Sequence, residues 1–171
     1  MTLDQLIKIM PYARQRAGLF LPGLNEAMAE FDIDTPARQA AFIAQVGHES
    51  GQLAYVRELA SGDAYEGRKD LGNTWPGDGR RFKGRGLIQI TGRTNYAACG
   101  AALDLDLIVT PALLEQPDNA CRSAGWFWKT HGLNALADTG DQTLVTRRVN
   151  GGTNGLADRL ALFDVAQQVL A

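Results

Sequence analysis

Apolar residues recur at helical spacing from the start of the chain, where Leu3, Leu6, Ile7 and Met10 share a face before Pro11 interrupts them. A second helical region carries Leu24, Ala27, Met28 and Phe31. Thr35-Pro36 is a start signal, because threonine caps free amides and proline is preorganised for the first helical position. The pattern predicts a helix from Pro36 to about Ser50, closed by Gly51. Past Pro117, the spacing of Ala120, Cys121, Ala124, Phe127 and Trp128 predicts a core helix running to Gly132, with Phe127 as packing. A shorter helix is expected from about Asp141 to Val149, ending at Asn150-Gly151-Gly152, and a last one carries Leu156, Leu160, Phe163, Ala166 and Leu170.

The middle of the chain reads differently. Between Gly62 and Gly86, glycine and charge are dense, and Asn73, Pro76, Gly77, Asp78 and Gly79 break any long element, so this is loop and cleft wall. Gly86 to Thr91 then alternates, with Ile88 and Ile90 on one face and Gln89 and Thr91 on the other, which predicts a short strand or extended segment. No repeat or linker interrupts residues 1–171, so a single catalytic domain is expected.

Composition narrows the classes. With 45% hydrophobic and 21% charged residues the chain is of ordinary globular type. A formal charge of -2 supplies no field for gathering nucleic acid or an anionic membrane. The local exception is Arg80, Arg81, Lys83 and Arg85, a basic cluster that reads either as a solvated face or as a contact for phosphate or a carboxylated wall polymer. Cys99 and Cys121 make no disulfide framework. With only His48 and His131, and no paired CxxC, no metal and no cofactor are expected. The amino terminus has no basic leader, and no apolar run reaches about 18 residues. The expected location is therefore a bacterial host cytoplasm until release to the wall or periplasm, with no stable membrane association, and a monomer is the default.

Glu49 is the most informative position. The stripe Phe42, Gln45, Val46, Glu49 puts a carboxylate on a largely apolar face, in the last helical turn where unpaired carbonyls oppose a second negative charge. Both effects favour a protonated carboxyl, which is what a general acid needs in order to protonate a departing glycosidic oxygen. Glu58, in Val56-Arg57-Glu58-Leu59, lies beyond the helix stop, where the chain is able to bring it across a cleft, with Arg57 favouring its ionised form. An inverting glycosidase needs such a pair roughly 6.5–9.5 Å apart, with room for the attacking water. Glu66 is the rival base. Gln89 and Thr91 suit a water, a sugar hydroxyl or an acetamide, while Asn95-Tyr96 offers an amide and an aromatic face, and Trp75 is a further stacking candidate.

Taken together, Phe42-Ile43-Ala44-Gln45-Val46-Gly47-His48-Glu49-Ser50 and Gly84-Arg85-Gly86-Leu87-Ile88-Gln89-Ile90-Thr91-Gly92-Arg93-Thr94-Asn95-Tyr96 resemble family 19 glycoside hydrolases, the plant-type chitinases and their phage endolysin relatives. Trp126-Phe127-Trp128, Gly132-Leu133-Asn134, Thr146-Arg147-Arg148-Val149-Asn150-Gly151-Gly152 and Asp158-Arg159 are similar to later motifs of that family. The resemblance covers about residues 38 to 163. It implies a mainly α, lysozyme-like α+β fold, with two helical lobes flanking a substrate cleft and a small β element. It also implies Glu49 as acid, Glu58 as base and Thr91 as the hydroxyl that holds the nucleophilic water. Gln89, Asn95, Tyr96 and Asn150 match substrate positions, Arg159 an arginine that tunes the carboxylates, and His48 a residue that supports the acid. The sequence departs from the family pattern at Leu59-Ala60-Ser61, where many relatives carry asparagine and tyrosine. It departs again in a short segment between Glu58 and Gly84, which implies low cleft walls.

The resemblance points to a muramidase-like endolysin that hydrolyses β-1,4 bonds of peptidoglycan glycan strands. A chitinase acting on chitin oligomers is the near alternative, and a lytic transglycosylase or a non-hydrolytic wall-binding relative lies further off.

Overall fold

The computed structural model describes all residues, Met1–Ala171. Nine α-helices dominate: α1 (Leu3–Ile9), α2 (Ala17–Glu30), α3 (Pro36–Glu49), α4 (Asp78–Arg81), α5 (Arg93–Leu103), α6 (Pro117–Thr130), α7 (Leu133–Ala137), α8 (Gln142–Asn150) and α9 (Leu156–Leu170). The architecture is mainly α, of the lysozyme-like kind. No helix is long and apolar enough to cross a membrane.

Local chemistry explains the principal boundaries. Thr2 caps α1 in a reciprocal arrangement with Gln5, Thr35 accepts from the Arg38 amide at the head of α3, and Asp141 accepts from Thr143 and Leu144 at the head of α8. Proline occupies the first turn of both α3 and α6. α3 packs along α9, and α2 along α6.

Two apolar clusters form. The larger takes Leu6, Leu24, Phe42, Ile43, Val46, Trp128, Val145 and Phe163 from the long helices, together with Leu87 and Ile88. The smaller gathers Phe82, Ile90, Tyr96, Cys99, Leu103, Leu107 and Leu114 around α5. Cys99 and Cys121 are buried, unpaired thiols in different clusters.

The expected strand at Gly86–Thr91 is instead a turn. Arg85 and Ile90 exchange backbone hydrogen bonds of 3.1 and 2.8 Å, which close a tight loop over the four residues between them. Both Ile88 and Ile90 are buried, but in different clusters, so the alternation reflects two cores rather than one pleated face. The β element is a ladder of isolated bridges, Arg57 to Arg85 and Arg85 to Ile90. The loop reading of residues 62–86 gains the α-helical turn α4 and two 3-10 turns, Asp63–Tyr65 and Lys69–Leu71.

Candidate active site

The packing of α3 on α9 builds the first half of the site. Arg159, only 1% exposed, donates to Glu49 Oε1 at 2.5 Å and also to Gln45 Oε1. Gln45 in turn donates to Thr146 Oγ1 at 3.1 Å, so three helices share one buried polar chain. Such a group is tolerated in a core only when its donors find acceptors, and here they do. Glu49 therefore faces a guanidinium, not the bare apolar surface expected from its stripe. No protein donor reaches its Oε2. Beside it, His48 Nδ1 lies 2.7 Å from Asp158 Oδ2. The His48 ring rests on Gly155, where a Cβ would come within 2.2 Å of it.

A sharp reversal follows. Gly51, Gln52 and Leu53 all adopt left-handed backbone (φ 56, 55 and 66°), a conformation that the last two adopt against their side-chain preference. Ser50 stabilises the turn, since its hydroxyl donates to Val46 O and accepts from the Leu53 amide at 2.8 Å. The Tyr55 amide returns to Ser50 O at 2.9 Å. From there Glu58 is three residues away, at most about 10 Å of chain.

Glu58 is held by the ladder. Its amide donates to Gly84 O at 3.0 Å, and the Gly86 amide donates to Val56 O at 2.9 Å. Tyr65, a residue the sequence reading did not single out, donates its hydroxyl to Glu58 Oε2 at 2.9 Å. Burial and the adjacent carboxylate push the Tyr65 phenol above its ordinary value, so it remains a donor at neutral pH. Glu58 Oε1 is buried with no partner. The rival Glu66 is engaged otherwise: both its oxygens accept backbone amides, Gly77 at 2.7 Å and Gly79 at 2.8 Å, which fastens the loop before α4.

Gln89, Thr91 and Asn95 line one pocket of about 150 Å³ with Leu71, Ile90, Trp126, Phe127 and His131. Asn95 donates to Thr91 O at 2.8 Å, and Gln89 lies on Gly84, where any Cβ would meet its Oε1 at 2.6 Å. Tyr96 does not join them. It is fully buried in the smaller core, donates to Lys83 O at 2.6 Å and accepts from Arg85 at 3.0 Å, so its ring offers no face to a sugar. Asn150 is exposed at the end of α8, 3.5 Å from Asn154 O. Trp75 lies outside the Gln89 pocket, in a separate groove. The basic cluster is largely tied down: Arg80 pairs with Asp63, Lys83 donates to Ala60 O, and Arg85 pairs with Glu115.

One glutamate is anchored at a helix end and a second is fixed on a short ladder, within a mainly helical fold; two carboxylates are the equipment most glycosidases work with. A family model described as chitinase class I, of glycoside hydrolase family 19, matches residues 25–165. A glycosyl hydrolase family 19 domain-containing protein of Haemophilus influenzae is 33% identical over 157 residues, covering 74% of this chain and 76% of that one. The endochitinase At2g43610 of Arabidopsis thaliana is 38% identical over 115 residues, covering 66% of this chain and 39% of that one, so the chain spans well under half of this plant relative. Among solved structures, a bacterial family 19 chitinase superposes with a TM-score of 0.80 at 23% identity, covering 99% of this chain and 94% of that one. Chitinase C from Streptomyces griseus gives 0.78 at 24%, covering 99% and 76%. These two likenesses establish the fold. The chain belongs to glycoside hydrolase family 19, whose members hydrolyse O-glycosyl bonds.

Proposed function

We propose that the chain hydrolyses β-1,4 bonds between N-acetylated sugars in the glycan strands of peptidoglycan, by inversion, as a lytic enzyme released to the cell wall. The carrying observation is the contrasting tethering of two glutamates: Glu49 is fixed through one oxygen by Arg159, and Glu58 through one oxygen by Tyr65. In each case the other oxygen has no protein partner.

The step follows from that asymmetry. Glu49 Oε2 carries the proton and gives it to the glycosidic oxygen as the bond from the anomeric carbon breaks. Water attacks that carbon from the opposite face and surrenders a proton to Glu58 Oε1, while Thr91 helps to hold the water. Solvent exchange then returns Glu49 to its acid form and Glu58 to its base form. Gln89, Asn95 and Asn150 position the sugars, and the His48 to Asp158 pair buttresses the end of α3. The short Glu58–Gly84 connection supports a cleft wide enough for the lactyl-peptide arm that distinguishes peptidoglycan from chitin.

Chitin cleavage is the second reading, favoured by the 38% identity to a plant endochitinase. Digestion of purified peptidoglycan, with identification of the new reducing end, tests the proposal. Muramic acid ends are expected. Anhydro ends would replace hydrolysis by transglycosylation, and efficient cleavage of chitin oligomers with no release from peptidoglycan would overturn the substrate.

A further inference from the structure

A second cavity, of about 460 Å³, opens on the smaller lobe and is unused by the chemistry above. Trp75, 66% exposed, and Val109, 65% exposed, form its apolar walls, and Arg81 and Arg93 its charged ones. The loop that carries this exposed indole is braced at its backbone. The Trp75 amide donates to Asp78 Oδ2 at 3.1 Å, and Asp78, 2% exposed, is locked by two further bonds from Arg93 at 2.6 and 2.8 Å. The groove is thereby preorganised, which lowers the cost of ordering a ligand.

Its charge is positive. Asp78 compensates Arg93, whereas Arg81 meets only the neutral carbonyls of Ile108 and Val109, at 2.8 and 3.0 Å, and has no acidic partner. Its Nη1 protons are unspent within the protein. The groove shares no lining residue with the Gln89 pocket, although both draw on the loop before α4 and on the first turn of α5.

We propose that this groove is an accessory binding site for anionic wall glycan, with a sugar ring stacked on Trp75 and a carboxylate of the lactyl-peptide arm at Arg81. The inference rests on the peptidoglycan reading. A flat apolar sugar face suits an indole, and a carboxylate suits a guanidinium that lacks an ion-pair partner. Neutral chitin offers only the first contact.

The test is sedimentation binding to purified peptidoglycan and to chitin, using the full chain carrying Glu49→Gln to block turnover. Adding Trp75→Ala should weaken peptidoglycan binding on the order of tenfold. Adding Arg81→Gln should weaken peptidoglycan binding and reduce its salt dependence while leaving chitin binding unchanged. Thermal melting identifies any variant that misfolds, and Trp75→Phe, which keeps a ring, should retain most of the affinity. Undiminished peptidoglycan binding by a folded Trp75→Ala chain overturns the groove and leaves the substrate intact. Binding to chitin alone by the Glu49→Gln parent overturns the peptidoglycan reading itself.

Discussion

Replacing Arg159 by methionine isolates the interaction that joins α9 to the acid. Methionine keeps most of the apolar stem but removes every donor, so Glu49 Oε1 and the buried Gln45 Oε1 both lose a partner. Each hydrogen bond from a charged group is worth about 1.5–3 kcal/mol and Arg159 donates two here, so their loss costs about 3–6 kcal/mol. The lower end applies, because the Glu49 side chain keeps 23% of its exposure and water screens part of the loss. At roughly 2–4 °C per kcal/mol for a domain of this size, the melting temperature should fall by about 6–12 °C. Glu49→Gln retains an acceptor for Arg159 and should melt much nearer the parent while abolishing hydrolysis. The double variant should lose less stability than the two single losses added together, since both act on one contact. Circular dichroism melting of all four proteins measures this directly. A decrease of under about 2 °C for Arg159→Met, or strict additivity in the cycle, would refute the claim that the buried guanidinium organises this half of the site.

Tyr65→Phe removes the hydroxyl from Glu58 and should lower kcat by about ten- to a hundredfold with KM little changed, since hydrogen bonds to charged groups are worth about 1.5–3 kcal/mol; steady-state kinetics on a soluble glycan checks this. Arg93 holds the Asp78 carboxyl below its ordinary 3.8, so its stabilising contribution is complete above that pH and is lost as pH falls through the lower folded value. Acid titration followed by Trp75 fluorescence, read as the difference from a Trp75→Phe variant, should accordingly show the loop holding at pH 5 and loosening below pH 3.8. Gly155→Ala places a methyl 2.2 Å from the His48 ring at a residue with φ of 70°, so both stability and activity should drop, as melting and turnover assays would report.

Much of the helical frame was legible because several helices, α3, α6 and α8 among them, are amphipathic and begin at a proline or a capping side chain. Thr35-Pro36 and Asp141 marked the starts of α3 and α8, and the structure shows those caps. α5 was missed, since its alanine-rich segment from Arg93 to Leu103 carries a weak apolar stripe and begins at Gly92, which makes no side-chain cap. The turn at Gly86–Thr91 was misread because alternation looks the same whether successive isoleucines enter one core or two. Glu49 was singled out by its helical stripe and Arg159 through motif resemblance, whereas the contact between them, 110 positions apart, is a product of α3 lying on α9 and leaves no local trace. Tyr65 was hidden for the same reason: it sits in a glycine-rich stretch with no periodicity, and only the fold of that loop brings its hydroxyl to Glu58. Tyr96 shows the converse, a residue whose type suggested a sugar platform but whose burial makes it a strut of the smaller core.

The presence of two apolar clusters has a mechanical consequence. Phe31 and Phe127 lean on both, and Gly125 leaves space for the Phe31 ring, which a Cβ there would approach within 2.3 Å. These two rings behave as shims in a joint: Glu49 is mounted on the larger cluster through α3, while Glu58 sits on a ladder that reaches Ile90 of the smaller one. Warming that slackens the joint should therefore misalign the two glutamates while each half is still folded, so hydrolysis should fail at a lower temperature than the helical signal.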